Sequence, residues 1–509
     1  MKTRSLTASV IFALVFSFSV TPCAAADFTI EQVMSSPFPS GLVAAEQAPR
    51  IAWVFINKGE SNIWVADAPG FAARAITHYR GDDGQPILSL RLTPDGKTAV
   101  YVRGAEANRD GYTANVASST KEVKQQVWAV TTDPADPAAE PRLLGEMNCG
   151  EEDCEDIELS PDGTTALWAT KKTLWTAPVA GGKAAERLHY LRGGSEGPRW
   201  SPDGKQIAFT STRGDHSFIV VYDLATHSAR YLQPSTDHDQ AARWSPDGKQ
   251  IAFLRTPGKE VKRPIIPLRP EPWSLWVADA ATGAAKKVFS SGAGLDDSLP
   301  HFAGESLHFA AAGRVVFDSE RDGWNHLYSV PAAGGEPVLL TPGAFDVEDV
   351  TLSSDKSSVI YSSNQFGSDK DKNDQDRRHL WQVNVSGGAP AQLTQGETIE
   401  WAPTMMNDGK TIVCLGSTAT SPAMPYRLTA LGASGAAKGA GKGAAKDAAQ
   451  GAANEKPSGR EMIAREALPA DYPSASLVTP RQVIFKSEDG LTIHGQLFVP
   501  AAAISPVRR

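Results

Sequence analysis

The chain lacks any extended run of basic residues. Its 50 lysines and arginines are outnumbered by 58 aspartates and glutamates, and the net charge is −8 over 509 residues. Nucleic acids and anionic membrane surfaces attract proteins through clustered cationic side chains. The sequence therefore predicts that neither nucleic acid nor a membrane surface is a partner.

Long apolar runs are lacking as well. The segment Val10 to Val20 is too short to cross a bilayer, which takes about 20 apolar residues. Lys2 and Arg4 precede it and the small residues Ala24 to Ala26 follow it, which is the pattern of a cleaved secretory signal. We expect residues 1–26 to be a signal peptide and the protein, without a membrane span, to be periplasmic or secreted.

Cysteine is scarce: there are four, and one lies in the predicted signal peptide. Cys149 and Cys154 flank a short acidic segment, and export would favour a disulfide between them. Two free thiols in an acidic loop are the alternative. Cys414 lies in an apolar segment and is expected to be a buried small hydrophobic residue.

Metal-ligand spacing is also absent from the sequence. The ten histidines include no His-Glu-x-x-His pair. The segment Asp369 to Asp374 resembles the beginning of a calcium-binding loop, but Asp374 stands where such a loop needs glycine and Leu380 where it needs glutamate. We therefore predict no metal and no cofactor.

Glycine and proline, by contrast, are abundant, with 44 and 35 residues, which is typical of an all-β protein with many tight turns. The motif Trp-Ser-Pro-Asp-Gly-Lys at Trp200–Lys205 recurs 44 residues later at Trp244–Lys249. A four-stranded propeller blade repeats every 40–45 residues or so. Weaker copies begin at Leu92, Leu159, Leu352 and Met406. The sequence predicts a β-propeller of seven or eight blades within residues 27–470.

The repeated motif is expected to form a tight turn, because its proline presets φ and its glycine accepts positive φ. These residues have a structural role there and imply no catalytic reaction. Residues 432–459 contain little besides glycine, alanine and lysine, so they are expected to form a disordered loop inserted near the last blade. A marginal exposed helix is the alternative, which the repeated glycines disfavour.

A serine motif of hydrolases occurs at Gly193–Gly197, where Ser195 is the central residue. A nucleophile elbow needs a strand before the serine and a helix after it. Here Pro198 and Trp200 lead directly into the next blade turn, so Ser195 is expected in an inter-blade loop. The sequence predicts no catalytic residue in this chain.

Two clusters combine more charge and aromatic character than turns require. They are Ser319–His326 and Asp376–Trp381. They could line the propeller tunnel or a domain interface and pair with peptide termini; inter-blade salt bridges around a packed tryptophan are the alternative. The candidate residues are Glu320, Arg321, Trp324, His326, Arg377 and Arg378.

The end of the chain has a different pattern. Residues 482–500 read as a strand, a turn and a second strand, with alternating apolar residues in each strand. Segment 471–509 is therefore expected to be a linker and the first strands of an α/β-hydrolase domain. Because only nine residues follow Pro500, we expect that domain to be truncated.

With these motifs, the chain resembles the prolyl oligopeptidase family of serine peptidases, in its dipeptidyl peptidase and acylaminoacyl peptidase branches. The resemblance rests on the repeated blade turns, on Ser319–Tyr328 and on Phe485–Leu491 followed by His494 and Gly495. It implies a propeller that caps a hydrolase domain and screens peptide substrates by size. The implied Ser-Asp-His triad would lie downstream of Pro500, so this chain alone is expected to be inactive.

The dipeptide-releasing branch reads the substrate amino terminus with a glutamate pair flanked by aromatic residues. Glu151 and Glu152 form a doublet, but their neighbours do not match that motif. A second hypothesis is a stand-alone periplasmic propeller similar to TolB, which would bind a periplasmic protein partner instead of a substrate.

Overall fold

The computed structural model describes residues 28–499, with long gaps at 148–156, 259–268, 301–305, 366–375 and 430–458 and shorter ones between 106 and 139. The expected signal peptide falls outside the described residues, as does the expected inserted loop except for Gly459, with which the last blade strand begins. Cys149 and Cys154, for which a disulfide was predicted, and the calcium-like segment Asp369 to Asp374 also fall outside the described residues.

In the described part of the chain, eight four-stranded antiparallel sheets form the blades of a β-propeller, so the predicted all-β propeller is confirmed, with eight blades. Blades 1–4 contain β1 (Phe38–Ala44), β2 (Arg50–Asn57), β3 (Glu60–Asp67), β4 (Arg74–Ala75), β5 (Ile87–Leu92), β6 (Thr98–Arg103), β7 (Gln126–Thr131), β8 (Arg142–Glu146), β9 (Glu158–Leu159), β10 (Thr165–Thr170), β11 (Thr173–Pro178), β12 (Glu186–Arg187), β13 (Gly194–Trp200), β14 (Gln206–Thr212), β15 (Ser217–Asp223) and β16 (Ser228–Tyr231).

Blades 5–8 contain β17 (His238–Trp244), β18 (Gln250–Thr256), β19 (Ser274–Asp279), β20 (Ala285–Ser290), β21 (His308–Ala310), β22 (Arg314–Ser319), β23 (His326–Pro331), β24 (Val338–Leu339), β25 (Val347–Leu352), β26 (Ser358–Ser363), β27 (His379–Asn384), β28 (Ala391–Gln392), β29 (Thr398–Met405), β30 (Ile412–Thr418), β31 (Ser421–Thr429) and β32 (Gly459–Met462). Helices α1 (Ile30–Val33), Leu295–Asp297, Ala311–Gly313 and Arg465–Ala467 are short. No helix among the described residues is long and apolar enough to cross a membrane.

The second strand of each blade carries the core. Seven of these strands place a fully buried aromatic residue at the same register position, and burial of such a side chain contributes about 1.5–3 kcal/mol. The aromatic residues are Trp53, Tyr101, Trp168, Phe209, Phe253, Phe317 and Tyr361. Cys414 occupies this position in blade 8 and is fully buried, which confirms the expectation for that residue.

The ring closes by side-chain packing between the first and last blades. Ile51 and Trp53 of blade 1 belong to one apolar cluster with Ile412 and Met424 of blade 8. Each blade is built from four consecutive strands, so no blade combines strands from the two ends of the described chain. In six of the eight pairs of neighbouring blades the first strands contact one another, as expected of strands that line the central axis of a propeller.

The repeated motif forms the turn between the first and second strands. In blade 4 the Ser201 hydroxyl donates to Asp203 Oδ1 at 2.7 Å and accepts from the Gln206 N–H at 2.9 Å. The same two bonds recur around Ser245 in blade 5. Gly204 has φ +71°, as the turn requires. All these turns lie at one end of the strands, which we call the turn face.

The opposite end, the loop face, carries the connections between the second and third strands and those between successive blades. A separate two-stranded hairpin, β33 (Arg481–Lys486) and β34 (Thr492–Leu497), contacts this face. Gln496 Nε2 donates to Asp376 Oδ2 of blade 7 at 2.8 Å. The strand–turn–strand predicted for this segment is therefore present.

Candidate functional site

The two predicted clusters both lie on the loop face, at blades 6 and 7. The Asn325 N–H donates to Asp346 Oδ1 at 3.0 Å, and Asn325 Nδ2 donates to the Val347 carbonyl at 2.8 Å. These bonds attach the loop of the first cluster to the start of β25. The two clusters are therefore neighbours, although 50 or more residues separate them in sequence.

Arg378 forms the most regular ion pair of the site. Its Nε lies 3.0 Å from Glu348 Oε2 and its Nη2 lies 3.0 Å from Glu348 Oε1. The Arg378 and Glu348 side chains are each about two fifths exposed. The hydrogen bonds that Arg378 donates to the Glu348 carboxylate raise the pKa of its guanidinium. The pair connects the first strand of blade 7 with the start of its third strand, and it leaves the carboxylate open to solvent on one side.

Next to this pair is a cavity of about 650 Å³ near the propeller axis, which we call the loop-face cavity. Its wall includes Glu348, Asp349, Trp401, Phe38 and Tyr472, from blades 7, 8 and 1 and from the segment that leads to the hairpin. Desolvation and the neighbouring Glu348 charge raise the pKa of the Asp349 carboxyl, although this carboxyl accepts a counteracting hydrogen bond from the backbone N–H of Ala402. Acidic and aromatic groups thus share one opening at the axis.

Asp349 lies at a β-bulge that recurs in the first strands of several blades. The first strands of five blades contain a bulge residue with positive φ, and Asp349 at φ +44° is the one in blade 7. The other four are Gly41, Gly197, Ala241 and Ala402. The sequence prediction missed Glu348, Asp349, Trp401 and Tyr472; the acidic doublet just before the weak turn copy at Leu352 was the one available signal.

A buried polar network supports the cavity from below. His379 Nδ1 lies 3.0 Å from Glu400 Oε2, and the Thr394 hydroxyl donates to the same oxygen at 2.9 Å. Arg460 of β32 and the Thr398 hydroxyl bond the other oxygen of Glu400. Because Glu400 is fully buried and all of these groups bond it, it holds blades 7 and 8 together.

In the first cluster, Ser319–His326, some side chains form contacts within the propeller and others are exposed. His326 is fully buried and its Nδ1 lies 2.8 Å from Asp322 Oδ2. Arg321 approaches Asp297 at 3.6 Å and its guanidinium lies 5.4 Å from the centre of the Phe289 ring. Glu320 and Trp324 are exposed, Trp324 by 38%, so this tryptophan is not packed in the way that the structural alternative supposed.

Arg377 lies next to Arg378 and is half-buried. Among the described residues, no group of three or more His, Cys, Asp or Glu side chains could hold a metal ion.

Ser195 lies in β13, the first strand of blade 4, and not in an inter-blade loop as the sequence suggested. The loop prediction was wrong because Gly197 is a bulge residue at φ +57°, equivalent to Ala241 of blade 5, and the strand continues through it. The residues after Ser195 remain extended, so the helix that a nucleophile elbow requires does not follow.

Ser195 does contact an imidazole, but in the wrong protonation state for catalysis. Its Oγ lies 3.3 Å from His189 Nε2, while His189 Nδ1 accepts the Leu191 N–H at 3.2 Å. With Nδ1 as acceptor, the neutral ring carries its proton on Nε2 and donates to the serine. Burial, together with the charge of Arg187, lowers the pKa of His189 to about 4, which keeps the ring neutral. The pair is a buried structural contact.

Comparisons with known proteins agree with this architecture. Residues 182–371 match the family described as the TolB beta propeller domain. A stretch of 112 residues is 31% identical to a probable dipeptidyl peptidase 4 of Aspergillus flavus. This stretch makes up 21% of this chain and 13% of that protein.

Solved structures are similar over most of the chain. The dipeptidyl peptidase 4 of Porphyromonas gingivalis matches with a TM-score of 0.55 and 11% identity, over 90% of this chain and 64% of that one. A puromycin-hydrolyzing peptidase of Mycobacterium tuberculosis matches with a TM-score of 0.50 and 15% identity, over 82% of this chain and 58% of that one. The chain thus spans less than two thirds of each relative. It is a β-propeller that matches the TolB beta propeller domain over part of its length and resembles the propeller-containing peptidases of the prolyl oligopeptidase and dipeptidyl peptidase 4 family, as the sequence predicted.

Proposed function

We propose that this chain is the substrate-gating propeller portion of an exported serine-type peptidase and contributes no catalytic residue itself. One observation carries the proposal: the hairpin β33–β34 sits on the loop face and leaves apolar side chains uncovered. Phe485 is 55% exposed, Ile493 37% and Leu497 46%. A lone two-stranded hairpin is marginally stable, and an apolar patch of this kind marks an interaction surface. A hydrolase sheet that continues the hairpin would cover it.

The loop-face cavity supports the gating role. Tyr472 of the cavity wall belongs to the segment that leads into the hairpin, so a domain seated on the hairpin would lie beside the cavity. A peptide that reaches this domain along the axis would pass Glu348, Asp349 and Arg378. These groups have the charges that pair with peptide termini.

Export follows from the amino-terminal segment. We propose that residues 1–26 are removed and that the mature protein begins at Asp27 in the periplasm or outside the cell. Amino-terminal sequencing of the protein recovered from cell envelope and medium tests this, since recovery of an intact Met1 terminus would contradict export by cleavage.

The test of inertness uses the purified chain with peptide and aminoacyl chromogenic substrates and a fluorophosphonate probe. We expect neither turnover nor labelling. Turnover that the fluorophosphonate abolishes would refute the proposal. A Ser195→Ala variant assayed in parallel would show whether Ser195 is the labelled residue.

The second candidate is a stand-alone protein-binding propeller, which the TolB match over residues 182–371 favours. It predicts that the tagged chain recovers a periplasmic lipoprotein from envelope extract. The double variant Phe485→Lys, Ile493→Lys separates the two candidates. Docking of a hydrolase domain should be lost in that variant, whereas a partner bound elsewhere on the propeller should be retained.

A further inference from the structure

A second cavity, of about 240 Å³, lies at the loop-face end of blade 1, and we call it the blade 1 cavity. Five of its lining residues come from one face of the β2–β3 hairpin. Glu60, Asn62 and Trp64 alternate with buried residues along β3, so their side chains point to the same side of the sheet. Asn57 and Phe55 of β2 pair with Glu60 and Asn62 across the hairpin. The cavity shares no lining residue with the loop-face cavity.

Trp64 gives the blade 1 cavity a fixed aromatic surface. Its ring stacks on Trp53, with the ring centres 6.5 Å apart, and meets the edge of Phe55 at 5.4 Å. Trp53 is fully buried, whereas Trp64 is half-buried and lines the cavity. Trp128 of blade 2 holds the same register position, opposite Tyr101, so a tryptophan there also serves the propeller scaffold. The polar groups beside the ring are what the cavity adds.

Asn62 positions the second polar wall of the cavity. Its Oδ1 accepts the Tyr79 N–H at 2.8 Å and the Thr77 hydroxyl at 3.0 Å, and its Nδ2 donates to the Tyr79 carbonyl at 3.1 Å. These bonds attach the segment after β4 to the hairpin. They thereby bring His78 and Arg80, on either side of Tyr79, to the cavity wall.

Four side chains of this wall keep polar groups available. Asn57, His78 and Arg80 are exposed, and their side chains form no hydrogen bond or ion pair with any residue that the structure describes. Glu60 Oε1 accepts the Gly81 N–H at 2.7 Å, which leaves Oε2 open. The charges of Glu60 and Arg80 are opposite and cancel. The wall therefore offers donors and acceptors to a ligand without attracting an ion of either sign.

We propose that the blade 1 cavity binds one ring of a neutral saccharide. A pyranose presents C–H groups on its face and hydroxyls around its edge, so its face stacks on Trp64 while its edge meets the polar wall. The planar carboxylate of Glu60 and guanidinium of Arg80 each bind two neighbouring hydroxyls, and hydrogen bonds to charged groups are the stronger ones. Cavities for drug-sized ligands measure about 300–1,000 Å³. A cavity of about 240 Å³ suits a single ring. The site does not depend on the proposed peptidase role.

The binding experiment uses saturation-transfer difference NMR with the purified chain. The probes are the methyl β-glucopyranoside, the methyl β-galactopyranoside and the methyl α-mannopyranoside, with sorbitol as a polyol that has no ring. We expect at least one glycoside to bind, with the strongest transfer to its ring C–H protons, and sorbitol not to bind. Glucuronate and glucosamine test the role of charge. Failure of all three glycosides, equal binding of sorbitol, or tighter binding of either charged sugar than of every glycoside would overturn the proposal.

The variants test the location. Glu60→Gln and Arg80→Gln should each weaken binding of the glycoside about tenfold, since each removes a charge-assisted hydrogen bond. Trp64→Leu should abolish binding. Trp128→Leu is its matched control, because Trp128 is half-buried at the same register in blade 2, and it should leave the affinity unchanged. Arg80 is exposed, so Arg80→Gln should fold even if Trp64→Leu does not. Unchanged affinity in Arg80→Gln, or an equal loss in Trp128→Leu, would contradict the assigned site.

Discussion

Removal of a buried arginine should destabilise this propeller far more than removal of an exposed arginine with the same pairing geometry. Arg255 Nε and Nη2 lie 2.6 and 2.8 Å from the two carboxylate oxygens of Asp239, and the side chains are 5% and 0% exposed. Arg255→Met would leave the Asp239 charge buried and unpaired. The expected loss in the free energy of unfolding is about 3–5 kcal/mol.

Arg378 provides the matched control. It also forms a bidentate pair, with Glu348, but these side chains are 41% and 42% exposed. Water solvates Glu348 after Arg378→Met, so the expected loss is about 0–1 kcal/mol. A loss of that size would mean that the Arg378–Glu348 pair is not needed for folding. Arg378 and Glu348 could then separate and each bind an oppositely charged group of a ligand.

Urea denaturation followed by tryptophan fluorescence measures both losses from the transition midpoint and slope. The double variant Asp239→Leu, Arg255→Met should recover most of the stability, because no charge is then left buried. Equal losses in the two single variants would refute the reasoning, since burial would then not decide the strength of these pairs.

Three further outcomes are expected. Ser195→Ala should cost about 1 kcal/mol of stability, the usual contribution of one hydrogen bond, and fluorophosphonate should label neither this variant nor the native chain; labelling of the native chain that disappears in the variant would contradict the structural role of Ser195. Burial lowers the pKa of His189 and His308 to about 4 from the ordinary 6.5, so the unfolded chain binds more protons between these values and the melting temperature should fall as the pH drops through that window. His308→Gln should reduce this slope, and a melting temperature that rises on acidification would contradict the assignment. Phe485→Lys with Ile493→Lys should reduce light scattering by the purified chain without lowering the melting temperature of the propeller, whereas Lys486→Gln should change neither.

Local sequence predicted the blades well because the turn chemistry is local. Ser201, Asp203 and Gly204 interact within one turn, so six residues are sufficient to specify it. Even the degenerate copy at Ser353 closes the same hydrogen bonds, with Lys356 at positive φ in place of glycine. The hairpin at the end of the chain was predictable for the same reason.

The blade number was not predictable, because some strands are too short to leave a pattern. β9 contains two residues and β21 three, so their periodicity cannot be read from the chain. The Ser195 prediction failed on a similar point: Gly197 looked like the end of an elbow motif, whereas pairing with β14 makes it a bulge inside a strand.

The sequence by itself determined the turns, the repeat and the all-β class, since each depends on residues within one blade. Tertiary structure alone decided which side chains meet at the axis. Trp401, Phe38 and Tyr472 come from distant parts of the chain and line one cavity. Such groups approach only when the ring closes, because the packing of blade 1 on blade 8 fixes the position of every first strand around the axis.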